Sequence, residues 1–262
     1  MCLFYQIRNN KQLFIRFIKK VLTPKFSCEK NVIYQKDCLT LQLESEIYYS
    51  KMKLIIMTKA TFFVEEDKIL TTLFEEGMEN LHLYKPGSEP IYAERLLTLL
   101  PDDYYKRITV HDHFYLKEEY GLRGIHLNNA SDSLPIGYRS RTAFGLSDGN
   151  VSRTCHSIDE LAEAKKKSKY VFLKTIFDSQ SNPNDKQSIS YNELEKAAKQ
   201  GLIDKKVYAM GGINLDNIRI CHELGFGGVV VCGDLWNRFN IHNEQDYKAL
   251  IMHFQKLQKA VG

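Results

Sequence analysis

The sequence predicts a closed (β/α)8 barrel of the TIM type, with an N-terminal extension outside the barrel. Three observations predict it. From Met52 onward, short β-rich runs alternate with longer amphipathic stretches, the order that builds a parallel sheet. A count near eight such runs falls between Met52 and Gly262, a density that favours a closed barrel over an open doubly wound sheet. No GxGxxG follows the first run, which argues against a dinucleotide-binding sheet.

The elements follow in order. Strands are expected at Leu54–Thr58, Asn80–Leu83, Arg107–Val110, Gly124–Leu127, Val151–Cys155, Tyr170–Phe177, Lys206–Ala209 and Gly228–Cys232, each a short apolar or β-branched run. Helices are expected at Glu65–Glu76, Ile91–Leu100, Phe114–Tyr120, Ile158–Lys167, Tyr191–Gln200, Asp216–Leu224 and Glu244–Lys259. Ser157 and Asn214 stand where N-caps would, with acids in the first turn after them. The connection from Asn128 to Asn150 shows no helical pattern and reads as irregular.

Composition bounds what surrounds the barrel. Residues 1–51 carry nine Lys/Arg against four Asp/Glu, whereas the remainder is nearly balanced at 27 against 28. The net charge of +4 therefore belongs to the first segment, and the main body gives no reason to expect a nucleic-acid partner. That segment holds none of the 15 glycines, and the texture changes at Met52, so the domains divide as 1–51 and 52–262. Two readings of the extension stand. Leu13, Phe14, Phe17, Ile18 and Val21 fall at helical spacing and suit a membrane surface or a partner. The composition break favours the other, an appendage or translated sequence ahead of a start at Met52. No apolar run approaches the roughly 20 residues of a membrane span. The six cysteines have no CxxC or finger spacing, so neither zinc nor disulfides are expected, and reduced thiols point to the cytoplasm.

A barrel places its site at the C-terminal ends of its strands, and those ends are polar here. They contain His82, Tyr84 and Lys85; His111, Asp112 and His113; His126, Asn128 and Asn129; Cys155 and His156; Asp178 and Ser179; Gly211, Gly212 and Asn214; and Cys232, Gly233 and Asp234. Five of the eight histidines are among them, which is more than scattered structural histidines would place on one face. Gly211-Gly212 and Cys232-Gly233, on the last two strands, form the pattern of a phosphate site: glycines admit an anion close to backbone N–H groups. A tight turn alone would also explain Gly-Gly. Two such ends side by side favour the anion. Cys155 reads as a core residue.

From Leu54 to about Phe254 the chain resembles the thiamine-phosphate synthases and their TenI-type relatives, the thiazole tautomerases. The resemblance rests on LHLYKPG (81–87), ITVHDHFYL (108–116), RGIHLNN (123–129), TCHSIDEL (154–161), YVFLKTIFDSQS (170–181), AMGGINLDN (209–217) and FGGVVVCGDLW (226–236), in that order. It implies a thiazole phosphate on Gly211, Gly212, Cys232 and Gly233. For a synthase it further implies a pyrimidine pyrophosphate and magnesium. His82 stands where the family has Gln or His, and Tyr84 where it has Arg, with Lys85 one position away as a substitute charge. His111-Asp112 replaces Asn-Asp, leaving Asp112 as a catalytic magnesium ligand; for the second carboxylate, either Asp132 takes the role after a one-residue shift or the site has lost it. Ser179, Ser181 and Asn182 stand for Thr-x-Thr-Lys, so the hydroxyls remain and the lysine does not. Lys174 has two readings, an outer-face lysine under a helix or a relocated cation at the mouth, and alternation without a fixed register does not choose.

For a tautomerase the resemblance implies an acid/base histidine in Thr154-Cys155-His156-Ser157, namely His156, and no cofactor; imidazole titrates near neutrality and suits proton transfer. Three functions stay open: the synthase, the tautomerase with His156, and a non-catalytic barrel that binds a phosphorylated ligand. Phosphorylated thiazole and pyrimidine molecules are the expected partners, and homo-oligomerisation is left open.

Overall fold

Parallel strands close into a ring in sequence order: β1 (Lys53–Met57), β2 (Leu81–Leu83), β3 (Ile108–Val110), β4 (Gly124–Leu127), β5 (Val151–Cys155), β6 (Tyr170–Leu173), β7 (Val207–Met210) and β8 (Gly228–Val231). Each strand pairs with the next, and β8 pairs back onto β1, so the (β/α)8 expectation holds. The computed structural model describes residues 51–135, 150–182, 184–238 and 244–262; the expected extension and most of the irregular connection lie outside them. The helices are α1 (Glu66–Glu75), α2 (Pro90–Leu99), α3 (Leu116–Glu119), α4 (Leu161–Lys166), α5 (Tyr191–Lys199), α6 (Ile218–Glu223), α7 (Gly233–Trp236) and α8 (Glu244–Ala260), with a 3-10 helix at Asp102–Arg107. No helix among the described residues is long and apolar enough to cross a membrane.

Three local expectations need correction. The expected sixth strand, Tyr170–Phe177, ends at Leu173, because Thr175 turns its hydroxyl onto Lys186 O at 2.9 Å and anchors the next loop. Ser157 is not a cap, since α4 begins only at Leu161, after Glu160. Asn214 does accept the N–H groups of Asp216 and Asn217, at 2.9 and 3.1 Å, but it closes a turn ahead of α6. The helix with a full capping box is α5, where Ser190 Oγ accepts from Glu193 N and Glu193 reaches back to Ser190 N.

Strand alternation sorts side chains into two layers. The outward residues, among them Ile56, Leu81, Val110, Ile125, Val171, Leu173 and Val229, are buried under the helices in the main core. Inside the barrel a second cluster gathers Ile55, Met57, Tyr170, Phe172 and Val230, with Tyr208 and Met210 packed on it. The other half of the interior is polar and equally buried: His82, Thr109, His111, His126, Ser152 and Thr154. The barrel is thus divided lengthwise, apolar from β6 round to β1 and hydrogen-bonding from β2 to β5.

Candidate active site

The inward rows run up into a cavity of about 680 Å³ at the C-terminal mouth. Its first wall is built by β7 and β8. Gly211 and Gly212 have φ of +100° and +64°, and a Cβ on Gly212 would stand 2.3 Å from Asp178 O. A Cβ on Gly233 would meet Gln180 and Ser181 below 3.0 Å. Glycine is therefore required here by the packing of the β6–α5 loop, whether or not an anion binds. The same geometry leaves backbone lining the cavity, and α7 begins there, with Gly233 and Asp234 N–H in its first turn. Cys232 lines this wall, its thiol 3.6 Å from Thr58 O and pushed up to about 11 by burial. It is not an activated nucleophile.

The second wall is the β6–α5 loop. Because Tyr170 and Phe172 face inward, Lys174 continues that row and lines the cavity, which chooses the mouth over the outer face. Its Nζ lies 2.8 Å from Asp185 Oδ2. Ser179, Ser181 and Asn182 stand on the same rim, with Asn182 N donating to Ser179 Oγ at 3.1 Å.

The third wall comes from β2 to β5. Tyr84 and His111 present their rings edge to face at 5.3 Å. His156 is exposed to the cavity, its Nε2 3.4 Å from Asn128 O and its backbone N–H bonded to Glu160 at 2.7 Å.

Four predicted residues are placed elsewhere. His82 is wholly buried beneath the cavity, 2.9 Å from His111 and 2.8 Å from the Tyr170 hydroxyl. Lys85 points into the protein: its Nζ meets both oxygens of Glu66 at 2.6 and 2.8 Å and Thr61 O at 3.0 Å, so no charge is left for a ligand. Asp132 is turned onto Asn129, accepting its backbone N–H at 2.9 Å and its side-chain amide at 3.2 Å. Asp112 is half-buried, and its inaccessible Oδ2 has no hydrogen-bond partner among the described residues. Cys155 is core, as expected, with its thiol raised to about 12 by burial.

Sequence reasoning missed Lys59, Asp185 and the role of Asn128. Lys59 follows β1 by two residues and lines the cavity beside the glycine wall, and among the described residues it meets no carboxylate within 4 Å. The strand-end rule applied to Thr58-Lys59-Ala60 would have found it. Lys59 and Lys174 flank the glycine wall on its β1 and β6 sides.

The sequence model described as thiamine monophosphate synthase matches residues 93–235. A crystal structure of thiamine phosphate pyrophosphorylase from Bacteroides thetaiotaomicron is 49% identical, over 80% of this chain and 97% of that one, with a TM-score of 0.69. The thiamine phosphate pyrophosphorylase of Pyrococcus furiosus, 20% identical over 80% of this chain and 98% of its own, has a TM-score of 0.56 and shares the fold. So does a tryptophan synthase α-subunit from the same organism, 12% identical over 80% and 99%, with a TM-score of 0.56. No curated protein matches the chain.

Proposed function

The chain belongs to the thiamine monophosphate synthase family, and from that premise we propose that it condenses hydroxymethylpyrimidine pyrophosphate with thiazole phosphate, giving thiamine phosphate and pyrophosphate. The observation that carries this reading is the cavity itself, a backbone wall of Gly211, Gly212 and Gly233 flanked by the cation Lys59 and by Lys174, which is paired with the partly exposed Asp185 at 2.8 Å and which a more highly charged anion can draw away. Two anionic groups can be held side by side there, which a single-phosphate site does not require.

In this reading the thiazole phosphate lies on the glycine wall and the α7 start. The bond from the pyrimidine methylene to the pyrophosphate oxygen breaks, and the electron pair leaves with pyrophosphate. The thiazole nitrogen lone pair then forms the new C–N bond. Lys59 stabilises the charge that grows on the leaving group, Lys174 joins it by exchanging Asp185 for the pyrophosphate, and Ser179 and Ser181 donate hydroxyl hydrogens to it. Walls from all sides of the mouth keep water from the cation. A magnesium ion would neutralise further pyrophosphate charge, but neither expected carboxylate fits it here: Asp112 lies off the cavity lining with its free Oδ2 inaccessible, and Asp132 is committed to Asn129. The described cysteines, Cys155, Cys221 and Cys232, are unpaired, which supports a cytoplasmic setting.

Incubating the full chain with both substrates and magnesium is expected to release thiamine phosphate and pyrophosphate in equal amounts. No thiamine phosphate at high enzyme concentration overturns the proposal. One observation favours a second reading, tautomerisation of a thiazole phosphate: His156 is the exposed imidazole on the cavity wall. As its acid/base, His156→Ala should lower that activity by about 10²-fold or more without a metal requirement. Undiminished proton exchange would remove His156 from the role.

A further inference from the structure

A single file of hydrogen bonds crosses the polar half of the barrel. The Tyr170 hydroxyl lies 2.8 Å from His82 Nε2, His82 Nδ1 lies 2.9 Å from His111 Nε2, and His111 Nδ1 lies 3.0 Å from Asn128 Oδ1. An amide oxygen only accepts, so His111 Nδ1 carries the hydrogen. Burial holds His111 down to about 4 and His82 well below its usual range, so both rings are neutral, with one N–H each. His111 Nε2 is then bare and accepts from His82 Nδ1–H; His82 Nε2 is bare in turn and accepts from Tyr170. Each link leaves the next one choice.

His126 stands beside this file, and the ring nitrogens of His82, His111 and His126 fall within 4.8 Å of one another. That grouping suggests an ion, but the ring geometry opposes it. His111 and His126 are stacked at 4.3 Å with planes 27° apart, so their lone pairs run nearly parallel and do not meet at one point. Both nitrogens of His126 lie 2.8 Å from hydroxyls, those of Ser152 and Thr154. The trio is arranged for hydrogen bonding.

The upper end of the file is Asn128, which is exposed and lines the cavity. With Oδ1 taken by His111, its NH₂ is the group left to donate. In the ring of eight strands β4 stands opposite β8, so the pyrimidine that meets a thiazole held on the glycine wall lies on the Asn128 side of the mouth. Tyr84 and His111 supply ring faces beside it.

We infer that Tyr170 and His82, neither of which reaches the cavity, are positioning residues: through His111 they lock the amide of Asn128 with its NH₂ toward the ligand, as the donor to a ring nitrogen of the pyrimidine substrate, which takes no part in the bond change. The inference rests on the reading of the site given above. An exposed asparagine without such a support samples several rotamers and both amide orientations, and binding has to offset that freedom. Turning the amide over would require every proton of the file to change sides and Tyr170 to give up an imidazole acceptor. Asn128 is thus aligned from within.

The first test is the ring tautomers of the full chain, read from two-bond ¹⁵N–¹H NMR spectra. Nδ1–H is expected for both His82 and His111; an Nε2–H tautomer at His111 overturns the inference. The second is kinetic. Asn128→Ala and Tyr170→Phe, with His82→Leu where it folds, are expected to raise KM for the pyrimidine substrate by roughly 5–20-fold with kcat within about twofold. His82→Gln, which can still accept from Tyr170 and donate to His111, should recover most of the loss. Unchanged KM in folded Tyr170→Phe and Asn128→Ala overturns the inference. If the wild type forms no thiamine phosphate, the proposed reaction fails on its own. The file is then judged by the tautomers and by whether hydroxymethylpyrimidine pyrophosphate alone shifts the Asn128 side-chain amide signals; no shift overturns it.

Discussion

Lys85→Met is expected to destabilise the barrel by about 3–5 kcal/mol, a loss typical of one partner removed from a buried ion pair. Lys85 and Glu66 are each 2% exposed and bonded through two oxygens. Burial raises the Glu66 carboxyl and lowers the Lys85 ammonium, and each charge opposes the shift of the other. Without the lysine, Glu66 must stay charged and alone or take up a proton, and both are unfavourable. The Phe62 ring, 4.4 Å from Nζ, loses its cation as well. In a barrel of this size the melting temperature should fall on the order of 10 °C. Pairing it with Glu66→Leu should restore most of the stability, since a well-packed apolar pair can replace a buried ion pair. A Lys85→Met protein with unchanged melting temperature and a raised KM would instead return Lys85 to the ligand site that its sequence position suggested.

That contrast shows what was legible. The eight strands were readable because each is a short run, mostly apolar or β-branched, that a parallel sheet buries on both faces, though β5 (VSRTC) carries more polar than apolar side chains. With the strands came the glycine wall, Lys174's neighbourhood, and the placement of Tyr84, His111 and His156 at the mouth. Partner choice was not readable. Lys85 looks like a rim cation until α1 brings Glu66 beneath it, and Asp132 looks like a ligand until a turn folds it onto Asn129. His82 sits in the same strand-end row as Tyr84, two residues away, yet one pleat decides between a buried link and a cavity wall. Register settles such questions, and register belongs to the sheet rather than to any one strand.

Acid is expected to unfold the protein well above the pH at which ordinary carboxylates titrate. His82, His111 and His126 are buried inside the barrel and held below their usual range, first by desolvation. Charge adds to it: His82 and His126 feel other imidazoles and the positive Arg123 and Arg153, respectively. In the unfolded chain each takes up a proton near pH 6.5; in the fold His111 does so only near 4, and His82 and His126 are likewise held well below their usual range. Between those limits the unfolded state binds more protons, so stability rises with pH there and is lost as pH falls from about 6.5. Each such histidine removes up to about 1.4 kcal/mol per pH unit, so three remove roughly 4, a large share of a 5–15 kcal/mol total. Urea midpoints measured from pH 7.5 to 5 should fall steeply, before most carboxylates respond. His126→Asn, which keeps hydrogen bonds to Ser152 and Thr154 within reach, should be flatter by about one proton over the same range. Equal slopes for the two proteins would show that the interior histidines do not titrate with unfolding, and that the polar half of the barrel admits charge.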